Sequence, residues 1–156
     1  LDDELLSLVS WLIPNEQEAS METHLPLRTD AEGPLKSDLR NIAAKPWDKG
    51  VEHIVITLGG HGAVVVKADG LTYIPCVSMR HVADPTAAGD SFVGALAVGV
   101  TLGLSHAQAL EFAAYTAALT VSRMGAMPSL PTLEEVLTLM RERGCQAPAR
   151  LDVLKA

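Results

Sequence analysis

The chain has 156 residues, 48% of them apolar and 20% charged, with a net charge of −7. That balance excludes a disordered polypeptide and allows one domain with a substantial core. The negative charge argues against nucleic acid and anionic membrane surfaces as partners, since both are polyanions, and the longest apolar run, Ser91 to Leu104, is too short to span a bilayer. The two cysteines, Cys76 and Cys145, lack metal-ligand spacing, so a reducing, cytoplasmic setting is expected. No cationic segment leads into an apolar one, so no signal peptide is expected.

In chain order, Leu5 to Val9 reads as the end of a helix and Trp11 to Ile13 as a short buried strand stopped by Pro14. Asn15 is a good N-cap, and Glu18 stands three residues on, as in a capping box. Glu22 to Pro34 is polar, with two prolines and a glycine, and predicts an irregular loop. Leu35 to Ala44 predicts a short helix with Leu35, Leu39 and Ile42 on one side. Next comes a β-branched strand, His53 to Leu58, halted by Gly59-Gly60-His61-Gly62. Two more strands follow, Ala63 to Lys67 and Leu71 to Ile74, joined by a turn at Asp69-Gly70. This glycine cluster is no dinucleotide fingerprint, because the Gly-x-Gly-x-x-Gly spacing is absent and a strand follows it. By itself it is a hairpin turn, with His61 facing solvent.

Val77 to Val82 leads as an extended segment into Asp84-Pro85-Thr86-Ala87-Ala88-Gly89-Asp90-Ser91-Phe92. Ala87, Ala88 and Gly89 leave backbone N–H groups uncovered where a helix begins. A helix N-terminus carries unpaired donors and partial positive charge and so attracts phosphate oxygens. Asp90, on the first turn, is suited to take a proton from a hydroxyl attacking a bound phosphate. The plainer alternative has Asp90 and Ser91 serving only as capping residues. A serine hydrolase built on Gly89-Asp90-Ser91 would need a histidine base near the C-terminus, and the last histidine is His106.

From Phe92 to Val100 the helix is apolar on nearly every face, which predicts burial, with Gly94 and Gly99 as points of close packing. Gly103 ends it. Ser105 and Gln108 open a second, alanine-rich helix reaching Ser122, with His106 on its surface. Arg123 to Pro131 reads as a tight loop, Thr132 and Glu135 as a third capping box, and the helix behind them as reaching Arg143. The tail after Gly144 is expected to fray.

Asp84 to Phe92 resembles the C-terminal signature of the ribokinase-like (PfkB-type) carbohydrate kinases, with Pro85 replacing its second residue. The Ala-Ala-Gly-Asp form is nearer to the ribokinase branch than to the Gly-Ala-Gly-Asp form of other members. Asn15 and Glu18 match the family's Asn-x-x-Glu motif, and Thr57, Gly59 and Gly62 its Thr-Leu-Gly-x-x-Gly turn. The resemblance covers Leu5 to about Arg143, and members are longer. It therefore implies that residues 1–156 are the C-terminal, nucleotide-binding and catalytic half, a fragment without the sugar-holding lid half.

The resemblance implies ATP-dependent phosphorylation of a sugar hydroxyl. Asp90 would be catalytic base and substrate contact, with Ala87, Ala88 and Gly89 as anion hole. Asn15, Thr57, Gly59, Gly60, His61, Gly62, Gly89 and Asp90 would lie along ATP, and Glu18 would hold Mg²⁺ through water. A monovalent cation, K⁺, would sit among side-chain oxygens of Asp84 and Ser129 and carbonyls of Thr86, Thr120, Arg123 and Gly125. The plain alternative there is a proline-stiffened loop without an ion. The complete enzyme would be a homodimer. Fructose, 2-keto-3-deoxygluconate and nucleoside kinases share these motifs, and a non-catalytic nucleotide-binding half is a further alternative.

Alternating strands and helices predict an α/β layered, Rossmann-like fold. Its sheet is expected to be mostly parallel with helices on both faces and antiparallel strands at an edge. The three motifs follow Ile13, Leu58 and Val82, at carboxyl ends of strands where such sheets gather ligands.

Overall fold

A computed structural model describes residues 1–30 and 33–155. They form two compact units, Leu1–Pro75 and Cys76–Ala156.

The first unit is a sheet backed by helices. After a short α1 (Asp3–Leu6), β1 (Trp11–Leu12) enters and α2 (Glu16–Thr23) follows. A small hairpin of β2 (Thr29–Asp30) and β3 (Gly33–Pro34) precedes α3 (Lys36–Asp48), and then come β4 (His53–Thr57), β5 (Ala63–Lys67) and β6 (Gly70–Ile74). The sheet order is β1-β4-β5-β6. β1 runs parallel to β4, with Trp11 opposite His53 and Leu12 opposite Ile54. β4, β5 and β6 form an antiparallel meander. The reason is connection length: β1 and β4 are separated by two helices, whereas β4–β5 and β5–β6 are joined by short turns, which can only reverse the chain. The α/β layering agrees with the sequence reading, and the expected antiparallel edge supplies the β4–β5 and β5–β6 pairings of this segment.

Side-chain alternation along β4 and β5 sends Ile54, Ile56, Val64 and Val66 to one face. There they pack in a buried cluster with Ala19 of α2 and Leu39, Ile42 and Ala43 of α3. Helix α3 outruns its expected end at Ala44 and contains Pro46. Proline removes its own donor and crowds the carbonyl four residues back, so the helix ends within two residues of it, and its last turn closes through the Lys49 and Gly50 amides to the Pro46 and Trp47 carbonyls.

The stretch Glu22 to Pro34 is more ordered than its composition suggests, although Ala31 and Glu32 lie outside the described residues. Asp38, buried in the first turn of α3, accepts three hydrogen bonds from Arg28: the backbone amide at 2.9 Å, Nε at 2.9 Å and Nη2 at 2.7 Å. A planar guanidinium matches a carboxylate in this bidentate way, and the pair fixes the hairpin to α3. No sequence pattern marks partners ten residues apart across a turn, which is why composition alone predicts an irregular loop there.

In the second unit, α4 (Ala88–Thr101) and α5 (His106–Val121) lie against each other, followed by α6 (Leu133–Glu142). The expectation that α4 is buried all round needs correction. Its buried stripe is Phe92, Ala95, Leu96 and Gly99, while Val93 and Val98 are 39% and 38% exposed and Gly94 and Ala97 face solvent. A single neighbouring helix covers one stripe at i, i+3, i+4, i+7 and leaves the opposite side open. Gly99 is a close-approach residue as expected, since a Cβ there would come within 2.8 Å of the Ala109 Cβ; Gly94 has no such neighbour within 4 Å. The tail also departs from expectation: residues Ala149–Lys155 form a 3-10 helix, Leu151 is fully buried, and Arg150 Nη1 donates to the Leu102 and Gly103 carbonyls at 3.1 and 2.8 Å. Those carbonyls at the end of α4 lack helical partners, and the guanidinium satisfies them. Among the described residues no helix is long and apolar enough to cross a membrane.

Two outcomes are expected. Gly99→Ala destabilises the fold by about 1–3 kcal/mol through overpacking, whereas Gly94→Ala stabilises it by about 0.5–1 kcal/mol through helix propensity; chemical denaturation of the two variants measures both signs. The second concerns acid. Hydrogen bonds from Arg28 hold the Asp38 carboxyl down to about 2, below the ordinary value near ~4. Its contribution is therefore complete above that ordinary value and is lost as pH falls towards about 2. The urea midpoints of the wild type and Asp38→Asn should differ most near neutrality and converge at the acid end.

Candidate active site

In the first unit, the Asn-x-x-Glu motif and the glycine turn come together at the carboxyl ends of β1 and β4. The Thr57 amide donates to the Pro14 carbonyl at 3.0 Å, and Asn15 and Thr57 form a parallel bridge that prolongs the β1–β4 pairing. Asn15 caps α2. Its Oδ1 accepts the Glu18 amide at 2.8 Å and its own amide donates to Glu18 Oε2 at 2.9 Å. The capping box read from the sequence is therefore formed, and it holds the Glu18 carboxylate in place at the end of β1. Both residues are exposed. Gly59 to His61 make a single 3-10 turn, closed by the His61 and Gly62 amides donating to the Leu58 and Gly59 carbonyls at 3.0 Å, and the Leu58 amide donates to the Gly62 carbonyl across its base at 2.7 Å. Gly59 and Gly62 both have positive φ, 53° and 87°, a conformation that side chains rarely adopt. Gly60 and His61 are exposed at its tip, as expected for His61.

In the second unit, the Asp84–Asp90 segment and the Thr120–Ser129 segment are one constellation. The Ala83 and Asp84 amides donate to the Val121 carbonyl at 2.8 and 3.2 Å. Asp84 then spends both carboxylate oxygens on backbone: Oδ1 accepts the Thr86 amide and Oδ2 the Gly125 amide, each at 2.9 Å. Hydrogen bonding from the Thr86 hydroxyl, and then from the Thr86 and Gly125 amides, holds its carboxyl below the ordinary aspartate value. The tethered turn delivers Ala87 into the left-handed region, φ 61° and ψ 7°, at the N-cap of α4. A side chain there costs about 1–2 kcal/mol, so surrounding structure must enforce it. Asp90 follows in the first turn and is exposed. Ser91 is buried and its Oγ donates to the Ala88 carbonyl at 2.9 Å, which removes it from consideration as a nucleophile.

The loop after α5 is equally tied down. Ser129, fully buried, donates its hydroxyl to the Ala126 carbonyl at 2.6 Å, and the Arg123 amide donates to the Thr120 carbonyl at 3.2 Å. One feature has no signal in the sequence. Glu135 closes the α6 capping box as expected, but it also accepts from Arg123 Nη2 at 2.7 Å and Nη1 at 3.3 Å. Arg123 and the Thr132 amide hold the Glu135 carboxyl at about 2. Local patterns reveal the Thr132–Glu135 spacing but not a partner twelve residues upstream.

Residues 2–133 match the model of the pfkB family carbohydrate kinases. The chain belongs to the pfkB carbohydrate kinase family. It is 36% identical over 140 residues to the ribokinase of Schizosaccharomyces pombe, covering 87% of this chain and 42% of that protein. With the ribokinase of Arabidopsis thaliana the identity is 34% over 142 residues, 90% of this chain and 36% of the other. The solved structure of the Arabidopsis ribokinase complexed with ribose and ATP superposes with a TM-score of 0.81 at 33% identity, over 90% of this chain and 43% of that one. The Thermotoga maritima ribokinase gives 0.77 at 29% identity, over 90% of this chain and 45% of that one. The ribokinase-like α/β fold is thereby established, and the chain spans less than half the length of these relatives.

Asp84→Ala should release both loops at once. Hydrogen exchange at the Thr86 and Gly125 amides should accelerate, while amides at the α4–α5 contact around Gly99 and Ala109 keep their wild-type protection; exchange measured by NMR distinguishes the two groups.

Proposed function

We propose that this chain is the C-terminal, nucleotide-binding and catalytic part of an ATP-dependent sugar kinase. The acceptor in this reading is D-ribose and the product D-ribose 5-phosphate. The observation that carries the reading is the placement of Asp90: exposed, on the first turn of α4, immediately after a left-handed Ala87 and the small residues Ala88 and Gly89. Helix-start amides without bulky side chains attract a phosphoryl group in transfer, and a carboxylate beside them accepts the proton of the incoming hydroxyl. The pfkB membership, and the similarity to an Arabidopsis ribokinase solved with ribose and ATP, support sugar and nucleotide as the substrates.

In this reading Asn15, Thr57 and the Gly59–Gly62 turn line the nucleotide, the glycines allowing the backbone to approach it. Glu18 suits Mg²⁺ held through water, because its carboxylate is exposed and already oriented by the capping box. Mg²⁺, when bound, neutralises charge developing on the phosphates. A potassium ion also fits the residues present: the Asp84 carboxylate and the buried Ser129 hydroxyl lie on two loops that are hydrogen-bonded to each other, with carbonyls of Thr86, Thr120, Arg123 and Gly125 nearby in sequence. Many oxygen donors without strict geometry suit a large, hard cation, which would add positive charge near the anion-hole turn. The complete enzyme in this reading is a cytoplasmic homodimer.

Positioning a hydroxyl in line with a phosphate is worth up to roughly 7–11 kcal/mol, so this chain alone should bind MgATP without ribose-dependent release of ADP. Within a polypeptide of its relatives' length, Asp90→Asn should lower turnover about 10²–10⁴-fold with ATP binding kept, and potassium should activate more than sodium at equal ionic strength. Calorimetry and a coupled ADP assay provide the measurements. Wild-type turnover in Asp90→Asn would remove the aspartate from the role of base.

A further inference from the structure

The pfkB membership does not explain why Glu135 carries two duties. Its carboxylate accepts the Thr132 amide at 2.8 Å, which caps α6, and at the same time both terminal nitrogens of Arg123. A capping box needs no cation, and a glutamine performs the same function, as Gln108 does at the start of α5. The ion pair with Arg123 is thus additional to capping, and its consequence is geometric. Arg123 begins the loop whose Gly125 amide, two residues on, donates to Asp84. Asp84 in turn accepts the Thr86 amide, the residue before the left-handed Ala87. A continuous series of bonds therefore runs from the first turn of α6 to the turn that starts α4.

We propose that Arg123 and Glu135 are positioning residues for the turn preceding Asp90, their ion pair fixing the 123–125 loop so that Gly125 and Asp84 enforce the left-handed conformation of Ala87. This deepens the kinase reading and rests on it for its catalytic meaning, but the mechanical link stands on the hydrogen bonds alone. Neither side chain is assigned any contact with nucleotide or sugar. Their effect passes through Asp84, and loss of the pair loosens the turn without removing a group that touches substrate.

The test uses the 156-residue chain with Glu135→Gln, Arg123→Met and the double variant. Glutamine retains the helix cap, so α6 should stay intact. Amide exchange at Gly125 and Thr86 should accelerate about tenfold in each single variant, with the double variant no faster than either, because both remove one link. Amides of Val136 and Leu137 in α6 should keep wild-type exchange. In parallel, inorganic phosphate titrated against the Ala88 and Gly89 amide resonances should bind several-fold more weakly in the variants. Unchanged exchange at Gly125 and Thr86, additive effects in the double variant, or loosening spread through α6 would each overturn the proposal. Should phosphate fail to shift Ala88 and Gly89 in the wild type while exchange responds as described, the positioning link holds and the kinase reading of this turn falls instead.

Discussion

The Asp84 carboxylate is the constraint on which the candidate site in the second unit depends. It accepts one amide from the turn that opens α4 and another from the loop after α5, and so converts two irregular segments into one. Irregular backbone is costly to order, and charge-assisted bonds to backbone amides are among the stronger means of doing so. The outcome is visible at Ala87, which occupies a conformation most residues avoid. That strain lies one turn from Asp90, where the chemistry proposed for the chain would take place, and strain of this kind commonly gathers at such positions.

The helix caps do more than start their helices. Asn15 and Glu18 start α2, Ser105 and Gln108 start α5, and Thr132 and Glu135 start α6, all by the same reciprocal bonding. Two of the three have further consequences. The first orients an exposed carboxylate where β1 ends beside Thr57, and the third anchors Arg123. Helix starts are suited to this because their amides must find acceptors in any case, so a residue chosen for capping is already rigid.

Each unit carries candidate residues of its own. The first offers the glycine turn and the Asn15–Glu18 pair at the ends of β1 and β4, and the second offers the tethered turn with Asp90. Both belong to a chain of the pfkB family that covers less than half of the S. pombe and Arabidopsis ribokinases.

Elements with local causes were legible in the amino-acid order. The three capping boxes, the β-branched strands His53–Thr57 and Ala63–Lys67, the glycine turn between them and the small residues before Asp90 each depend on neighbours within about four residues. Three long-range partnerships emerged only once the chain was folded, Arg28 with Asp38, Arg123 with Glu135 and Arg150 with the end of α4, whereas the family resemblance already set Asp84 beside the Gly125 loop and folding added the direct bond between them. Folding also selected which apolar residues of α4 stay exposed, since an all-apolar helix has no pattern to mark the side its neighbour will cover. Periodicity reports what a segment can bury, while the packing of other segments determines what it does bury.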